Sequence, residues 1–563
     1  MKRVLLGFSL LVFGFSLCEG QSWVWAKAAV NDTGWLDPYD LTTDTAGNIY
    51  ETGLFNGKVT IGTQVLNTIS PNFDAFIIKY DNNGNAIWAI SPVVTGQAYG
   101  ISIATNDSGN VCVTGYYTGS LRIGTFNFPN SSNTNLFIAE FSSSGILKWA
   151  SYSQSNSFAY IQPYSVTIDK SFNTYVTGQF DDSVSFGSIK INGYGFFLEK
   201  IDNTGNVIWV NTANVDNSYG NTVVTDATGN IYVAGEFSDS LTIDSKTITT
   251  KGVNDVFLAK FTPSGNLTWI TSAVLPSSNS SAYYTTGLTG GKYMCIDNIG
   301  NLYLTGFFSD TIQFGTHAFK NIYPAVFLAK YSPSGIVLWA NESSEENIPN
   351  SYYYKSYSIS CNKNESFYIC GTFSDSIRFN SVKLTSDSIY PSFLFKFDSA
   401  GNVICGSEIN NYNDDNNSVA VDPLSNNVFF SGDIEMENGC YFGSNLLTGT
   451  NEYGFLAKWT CETLGINELS NKFIPLSLFP NPNTGAFTLE VKSEEVRAKS
   501  VEVYNVMGQK VFTATPSLLP QSGGGVSFSY NLNISSQPNG VYLYRVIDET
   551  GKLLGEGKFV IEK

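Results

Sequence analysis

Apolar and polar residues alternate along most of this chain with a period of two, in short runs cut by turns. One stretch carries the whole pattern. Asn221-Thr-Val-Val-Thr-Asp-Ala-Thr-Gly-Asn-Ile-Tyr-Val-Ala-Gly-Glu-Phe-Ser-Asp-Ser-Leu is followed, after a gap, by Val256-Phe-Leu-Ala-Lys-Phe-Thr-Pro-Ser-Gly-Asn-Leu-Thr-Trp269. Period two is the period of a strand with two unlike faces. The breaks, Asp226-Ala-Thr-Gly229-Asn230 and Thr262-Pro-Ser-Gly265-Asn266, supply Gly for positive φ and Asp, Asn or Ser to bond nearby amides. Two hairpins follow, and the unit predicted is a four-stranded antiparallel sheet.

The unit repeats. Phe-aliphatic-x-Lys-aromatic, with departures at Glu140 and Ile201, ends at Lys79-Tyr80, Glu140-Phe141, Lys200-Ile201, Lys260-Phe261, Lys330-Tyr331, Lys396-Phe397 and Lys458-Trp459. A second-strand glycine recurs at Gly53, Gly115, Gly178, Gly235, Gly306, Gly371 and Gly432. Trp88, Trp149, Trp209, Trp269 and Trp339 follow five copies, Cys405 stands in the sixth, and the seventh lacks this strand. Ser22-Trp-Val-Trp25-Ala-Lys carries that strand's pattern with nothing before it. The split repeat predicts an all-β, seven-bladed β-propeller over residues 21–463 whose last blade is closed by the N-terminal strand, an architecture that protects sheet edges by radial repetition. An open row of sheets is the alternative. The recurring Trp then reads as outer-strand packing on the neighbouring sheet.

Composition narrows the picture. Charged residues are 14% of the 563 and aromatics another 14%, with 51 Gly and a net charge of −17. This is the profile of a turn-rich all-β protein, and an acidic chain without a basic block is a poor partner for nucleic acid. Lys2 and Arg3, the apolar run Val4–Leu17 and the small residue Gly20 form a signal peptide over residues 1–20, cleaved to leave Gln21. A lipoprotein acylated at Cys18 is the rival. No later run is long enough to span a membrane.

Seven cysteines then remain, with no zinc spacing. Cys112, Cys295 and Cys370 fall in strand runs and read as small core residues. Cys361 and Cys370 flank one hairpin, so a disulfide between them is open to an exported chain. An odd total leaves at least one thiol unpaired within the chain.

No catalytic constellation emerges. The single His, His317, has no motif around it, and no phosphate loop, nucleophile elbow or zinc helix occurs. The chain is therefore read as a non-enzyme without cofactor or metal. Asp44, Asp81, Asp107, Asp202, Asp226, Asp297 and Asp398 open Asp-x-x-Gly-Asn turns or shortened forms. Their spacing suits Asx turns better than a calcium loop. Glu408, Asp414, Asp415, Glu435 and Glu437 lie outside the repeat and read as solvated loop charges, paired carboxylates for glycoside cleavage being the alternative. A Tyr precedes the inner strand at Tyr39, Tyr99, Tyr164, Tyr219, Tyr293 and Tyr357, as a spacer between blades or as a binding surface. The candidate ligand-binding residues outside the repeat are Tyr283, Tyr284, Tyr352, Tyr353 and Tyr354 in the two longest loops, because Tyr joins a flat apolar face to a hydroxyl. Asp182-Ser-Val, Asp239-Ser-Leu, Asp310-Thr-Ile and Asp375-Ser-Ile read either as turns or as O-glycan acceptors.

After a linker at 464–475 a different module fills 476–563. Phe479-Pro480-Asn481-Pro482…Gly485, Val503-Tyr504-Asn-Val-Met-Gly508-Gln-Lys, Pro538-Asn-Gly540-Val-Tyr542-Leu and Gly557-Lys-Phe-Val resemble the type A C-terminal sorting domain of the type IX secretion system of Bacteroidetes. The resemblance implies a small Ig-like β-sandwich that is recognised by the type IX secretion machinery, and a mature protein that is extracellular or on the outer cell surface. The seven copies resemble the bacterial SBBP-type β-propeller repeat, which implies no assigned activity. The reading is a secreted or surface-displayed non-catalytic propeller, a binding or adhesion module for a glycan, peptide or surface partner. The alternatives are an extracellular polysaccharide-acting enzyme and a structural matrix protein.

Overall fold

The computed structural model describes residues 20–563 apart from 32, 69–71, 156–159, 214, 216, 274–280, 284–292, 345–354, 363–365, 387, 389–390, 410–416, 424, 426, 436–439, 448–451, 463–475, 493–497, 506–508, 515–526 and 549–552. The proposed signal peptide and linker therefore lie almost wholly outside the described residues. Among these residues there is no helix, and so none long and apolar enough to cross a membrane. The chain divides into two units, Met1–Leu464 and Gly465–Lys563.

The first unit is all-β and built from seven successive antiparallel sheets. In the first sheet Trp35–Thr43, Ile49–Asn56, Asp74–Tyr80 and Ala86–Ile90 pair in chain order, and in the fourth Ser218–Thr225, Ile231–Phe237, Asp255–Phe261 and Leu267–Ser272 do the same. The seventh is assembled from both ends of the unit. Ser418–Val421, Val428–Glu435 and Glu452–Glu462 are completed by Gly20–Ala28, which pairs with Glu452–Glu462 so that Trp25 stands opposite Lys458. Each sheet's inner strand packs on that of the next, and Ser418–Val421 packs on Trp35–Thr43, so the succession returns to its start.

A belt of small hydroxyls joins the inner strands. The backbone N–H of Val166 donates to Ser102 Oγ, that of Val223 to Ser165 Oγ and that of Val419 to Ser358 Oγ, at 3.2–3.3 Å. Asp40, fully buried, joins the two ends of the succession by accepting from Ser102 of the second sheet (2.8 Å) and Ser418 of the seventh (3.5 Å).

The repeated residues are explained by contacts between and within sheets. A Cβ on Gly235 would stand 1.9 Å from the Tyr219 carbonyl oxygen and 2.6 Å from the Phe257 ring, so close approach demands the glycine. Lys79, Lys200, Lys260 and Lys330 lie over the rings of Tyr50, Tyr175, Tyr232 and Tyr303, 4.7–5.4 Å from the centroids. Each Nζ then donates to a turn carbonyl of the next sheet: Ser143, Pro263, Pro333 and Ser399. The same four carbonyls accept the indole N–H of Trp88, Trp209, Trp269 and Trp339. The Trp ring covers the glycine of that turn, as Trp269 covers Gly335 and Trp25, from the chain's N-terminal strand, covers Gly84.

The second sheet departs from this scheme in a coordinated way. Asn106, Cys112 and Glu140 stand where most other copies have Asp, Tyr and Lys, Asn362 of the sixth and Phe429 of the seventh being the exceptions. Glu140 is buried and takes hydrogen bonds from Asn110 Nδ2 (3.0 Å), Lys148 Nζ (2.5 Å) and Trp149 Nε1 (2.7 Å), so the inverted charge receives donors from its own sheet.

One expectation about cysteine is corrected. The disulfides are Cys295–Cys361 and Cys405–Cys461, each joining neighbouring sheets, and Cys361 does not pair with Cys370; Cys295 is the core residue expected, and is bonded as well. The two partners of Cys295–Cys361 lie on adjacent inner strands, a placement that a hairpin argument from sequence does not reach. Cys112, Cys370 and Cys440 are free and buried.

Every sheet also carries a small hairpin between its second and third strands, for example Ser240–Ile243 with Lys246–Thr249. Each turns on a left-handed residue: Gly62, Gly124, Gly187, Asp244, Gly315, Asn380 and Gly443, with φ between 49° and 60°.

In the second unit Leu476–Phe479, Ala486–Lys492 and Ser527–Asn533 form one sheet, and Lys510–Ala514, Ala498–Asn505, Gly540–Asp548 and Leu553–Ile561 another. One core serves both, with Leu489, Leu532, Val503, Val546 and Phe559 in it.

Candidate functional site

Where the inner strands begin, the first unit gathers aromatic and polar side chains, most of them buried. The six recurring tyrosines share no single position in the strand register. Tyr39, Tyr164 and Tyr357 occupy the bulge of the inner strand, at the shifts Pro38/Asp40, Pro163/Ser165 and Ser356/Ser358. Tyr99 and Tyr219 stand two residues earlier, opposite Tyr116 and Glu236. Tyr293 follows the bulge position, its carbonyl accepting from the Thr305 N–H. The spacing to the repeated glycine carries the same distinction: 14 residues from Tyr39, Tyr164 and Tyr357, 16 from Tyr99 and Tyr219, and 13 from Tyr293.

Tyr283, one of the proposed ligand residues, falls on the same rung as Tyr99 and Tyr219. It is the last residue of Ser281–Tyr283 and stands opposite Phe307. Tyr284, Tyr352, Tyr353 and Tyr354 lie outside the described residues.

The rung is filled on the second strand by the residue after the repeated glycine. It differs in every sheet: Leu54, Tyr116, Gln179, Glu236, Phe307, Thr372 and Asp433. Opposite them on the inner strands stand Asp37, Tyr99, Gln162, Tyr219, Tyr283 and Lys355. In two of these pairs the side chains meet directly. Tyr99 stacks on Tyr116 with centroids 4.6 Å apart, and Phe73 stands edge-on to Tyr99 at 6.1 Å. Gln179 Nε2 donates to Gln162 Oε1 at 3.0 Å, which also accepts the Tyr164 hydroxyl at 3.3 Å.

Burial pushes the Tyr39 hydroxyl well above the ordinary tyrosine range, and Asp37, Tyr116, Tyr99 and Asp433 push it in the same direction. Burial likewise raises Tyr164, with Tyr160, Tyr219, Glu236 and Tyr116 adding to it. Tyr39 and Leu54 of the first sheet pack with Ile101 and Tyr116 of the second, with Trp35, Phe73 and Tyr99 against them, and charged or phenolic groups of the third, fourth and seventh sheets act on these hydroxyls electrostatically. Tyr39, Tyr99, Tyr116 and Tyr164, all raised by burial, stay protonated at physiological pH, as donors and flat apolar faces.

The other end of the inner strands is structural in its chemistry. In the turns opened by Asp44, Asp81, Asp202, Asp226, Asp297 and Asp398 one carboxylate oxygen accepts the backbone N–H groups two and four residues on. The other accepts from the Asn side chain that ends the turn. In the second sheet this role belongs to Asn106, not Asp107. In the third it belongs to Asp169, which the sequence reading passed over because Phe172 replaces the glycine. No group of three or more His, Cys, Asp or Glu side chains arranged for a metal occurs among the described residues.

The remaining candidates separate clearly. His317 is half-buried at a hairpin end and Glu408 is exposed on an outer strand. Asp414, Asp415 and Glu437, and the side chain of Glu435, lie outside the described residues. Asp182, Asp239, Asp310 and Asp375 all adopt left-handed φ of 60–65°, which accounts for their recurrence as turn residues. Ser183 and Ser376 beside them are buried, with 6% and 2% exposure, so their hydroxyls are not presented to a glycosylating enzyme in the folded chain.

In the second unit Pro480, Asn481 and Pro482 form an exposed turn with two cis peptide bonds. Asn481 Oδ1 accepts the Val560 N–H at 2.9 Å, tying the turn to the last strand, and Asn483 Oδ1 accepts from Gly485 at 2.7 Å. Gly485 has φ 96° and a Cβ there would stand 2.5 Å from Ser535 Cα. Tyr504 donates to Glu502, which pairs with Lys510 at 2.9 Å. Tyr542 donates to the Pro538 carbonyl at 2.8 Å and stacks on Phe559. Gly540 has φ 156° and open space around it, and Gly508 lies outside the described residues.

Residues 477–562 match the family described as secretion system C-terminal sorting domain, which supports export of the chain by type IX secretion to the cell surface or beyond. An uncharacterized WD repeat-containing protein of Acanthamoeba polyphaga mimivirus is 23% identical over 482 residues, covering 68% of this chain and 34% of its own length. The chain thus spans about a third of that relative. Two solved structures are also similar. A fungal alcohol oxidase of the AA5 family in complex with copper has 11% identity and a TM-score of 0.38, covering 96% of this chain and 100% of its own. A PL25 ulvan lyase bound to a GlcA–Rha3S saccharide has 8% identity and a TM-score of 0.32, covering 71% and 92%. At those scores neither structure bears on the argument.

Proposed function

We propose that the first unit is a closed seven-bladed β-propeller, exported by a signal peptide over residues 1–20 and by the C-terminal sorting domain, and that it is a non-catalytic binding module. The ring reading is supported by the pairing of Gly20–Ala28 with Glu452–Glu462 and by the packing of the seventh inner strand on the first. The binding reading rests on one observation above all. The residue after the repeated glycine differs in all seven copies; Leu54 and Tyr116 pack with Tyr39 and Tyr99 at one end of the strands, and Glu236 and Asp433 act on the same tyrosines. A rung that packing left free to vary, and that combines phenols with Glu236, Asp433, Gln179 and Lys355, suits recognition of a glycan, peptide or surface partner.

The mature chain is to be screened on glycan and peptide arrays beside Tyr99→Ala and Tyr219→Ala. Loss of a wild-type signal in either variant, with an unchanged melting curve, supports the reading. Turnover of a polysaccharide that disappears with Glu236→Gln replaces it with the enzyme. Export is checked separately: deletion of 477–562 is expected to retain the protein inside the cell, and N-terminal sequencing of the exported form is expected to begin at Gln21.

A further inference from the structure

At the opposite end of the inner strands the turns of the second to fifth sheets surround a cavity of about 500 Å³. That volume accommodates a small ligand of one or two rings. Most of its polar lining is already engaged: the carboxylates of Asp169, Asp226 and Asp297 are occupied by hydrogen bonds within their turns.

One residue there breaks the repeat. Phe172 holds φ 63° at the position where Gly47, Gly109, Gly229 and Gly300 have φ of 80°, 71°, 82° and 87°. A bulky side chain in the left-handed region is a true outlier, and such strain persists only where the surroundings impose it. The fold does not need Phe here, since four equivalent turns close with glycine through the same hydrogen bond to the residue three before. Phe172 is half-exposed and lines the cavity with Ile168 and the exposed Ile299. The exposed side chains of Asp107 and Lys170 add one charge of each sign.

We infer that this cavity is a second binding site, distinct from the tyrosine-rich end, and that it takes a neutral sugar ring packed against Phe172. The walls combine an aromatic face and aliphatic groups with hydrogen-bonding groups of both kinds, and carry no unbalanced uncommitted charge. A pyranose has the same division, an apolar C–H face and a rim of hydroxyls. A charged ligand would leave either Asp107 or Lys170 opposed, and a wholly apolar one would strip water from both.

The test is saturation-transfer NMR and calorimetry on the mature full-length chain with cellobiose, xylobiose, maltose and laminaribiose. Wild type is expected to bind at least one of them saturably. Phe172→Gly is expected to weaken that binding at least tenfold while its melting temperature stays equal or rises, because glycine relieves the backbone. Phe172→Tyr is expected to bind as wild type. The site is overturned if wild type binds none of the four, or if Phe172→Gly binds them unchanged. Loss in Tyr99→Ala but not in Phe172→Gly places the sugar at the tyrosine-rich end and removes this site while sparing that one.

Discussion

Cys405 is bonded to Cys461 across the joint between the sixth and seventh sheets, at the one position where the repeat has neither a Trp nor a glycine turn to receive it. In five other copies a Trp on the fourth strand covers the next sheet's turn. The seventh sheet has no such turn, because its fourth strand comes from the N-terminus. The Lys contact survives, with Lys396 Nζ donating to the Cys461 carbonyl at 3.0 Å. The covalent link stands in for the missing indole.

This substitution carries a stability prediction. Replacing both cysteines, as Cys405→Ala with Cys461→Ala, opens the joint without leaving a reactive thiol. The expected loss is about 2–4 kcal/mol, the usual worth of a disulfide closing a loop of this size. Equilibrium denaturation of the first unit's transition, followed by tryptophan fluorescence, measures it. Coincident curves for variant and parent would refute the role.

Gly235→Ala is expected to cost about 1–3 kcal/mol or more, as overpacking does in a closed core. The added methyl would meet the Tyr219 carbonyl at 1.9 Å, and a carbonyl held in a strand pairing cannot turn aside. Gly62→Ala makes the control, since nothing lies within 4 Å of its Cβ position and only the left-handed φ of 60° is strained. The order of the two midpoints in urea decides the point.

The strand pattern, the seven copies, the recurring glycine and the N-terminal Trp25 strand were all legible because each obeys a period that packing enforces. Features set by three-dimensional neighbours were not. The disulfide Cys295–Cys361 joins inner strands 66 residues apart, and no spacing rule reports it. The small hairpins lay in what was read as gaps, although Ile-Gly-Thr, Phe-Gly-Ser, Ile-Asp-Ser and Phe-Asn-Ser recur in them with the left-handed residue second. The three positions of the tyrosines are legible in their spacing to the repeated glycine, 14, 16 or 13 residues, but which of them is the bulge is set by the strand pairing. Phe172 is hidden for the opposite reason: its turn departs from the Asp-x-x-Gly-Asn pattern at the glycine, and that departure is the informative feature.

Trp25→Ala tests closure. Trp25 covers Gly84 of the first sheet, while Lys27 Nζ of the same strand donates to Asn83 O (2.6 Å) and Asn85 Oδ1 (2.8 Å). In a closed ring this joint counts like any other, so Trp25→Ala and Trp88→Ala are expected to destabilise by similar amounts, roughly 2–4 kcal/mol each for a partly buried Trp. In an open row the terminal strand could fray, and Trp25→Ala would cost far less than Trp88→Ala. Paired thermal melts separate the two outcomes.

Glu199 should make the first unit less stable as pH rises. It sits on the third strand of the third sheet where other copies have Ala or an apolar residue, and it is 1% exposed. Burial raises its pKa from 4.5 to about 8. The unfolded chain releases this proton near the ordinary glutamate value, the folded chain only near pH 8. Stability from this group is therefore complete below about pH 4.5 and declines as pH climbs to about 8, by ~1.4 kcal/mol for each unit separating the two pKa values. Glu51, raised to about 7 by burial against the opposing hydroxyls of Tyr80 and Ser431, and Asp255, raised to about 8 by burial against the Val256 N–H, act with the same sign. Glu199→Gln keeps the shape and removes the titration. The variant is expected to match the parent near pH 5, to be more stable at pH 8.5, and to retain the shallower slope that Glu51 and Asp255 supply. Urea midpoints at half-unit steps across that range test it, and parallel curves for the two proteins would show that Glu199 is ionised in the folded chain at the same pH as in the unfolded one.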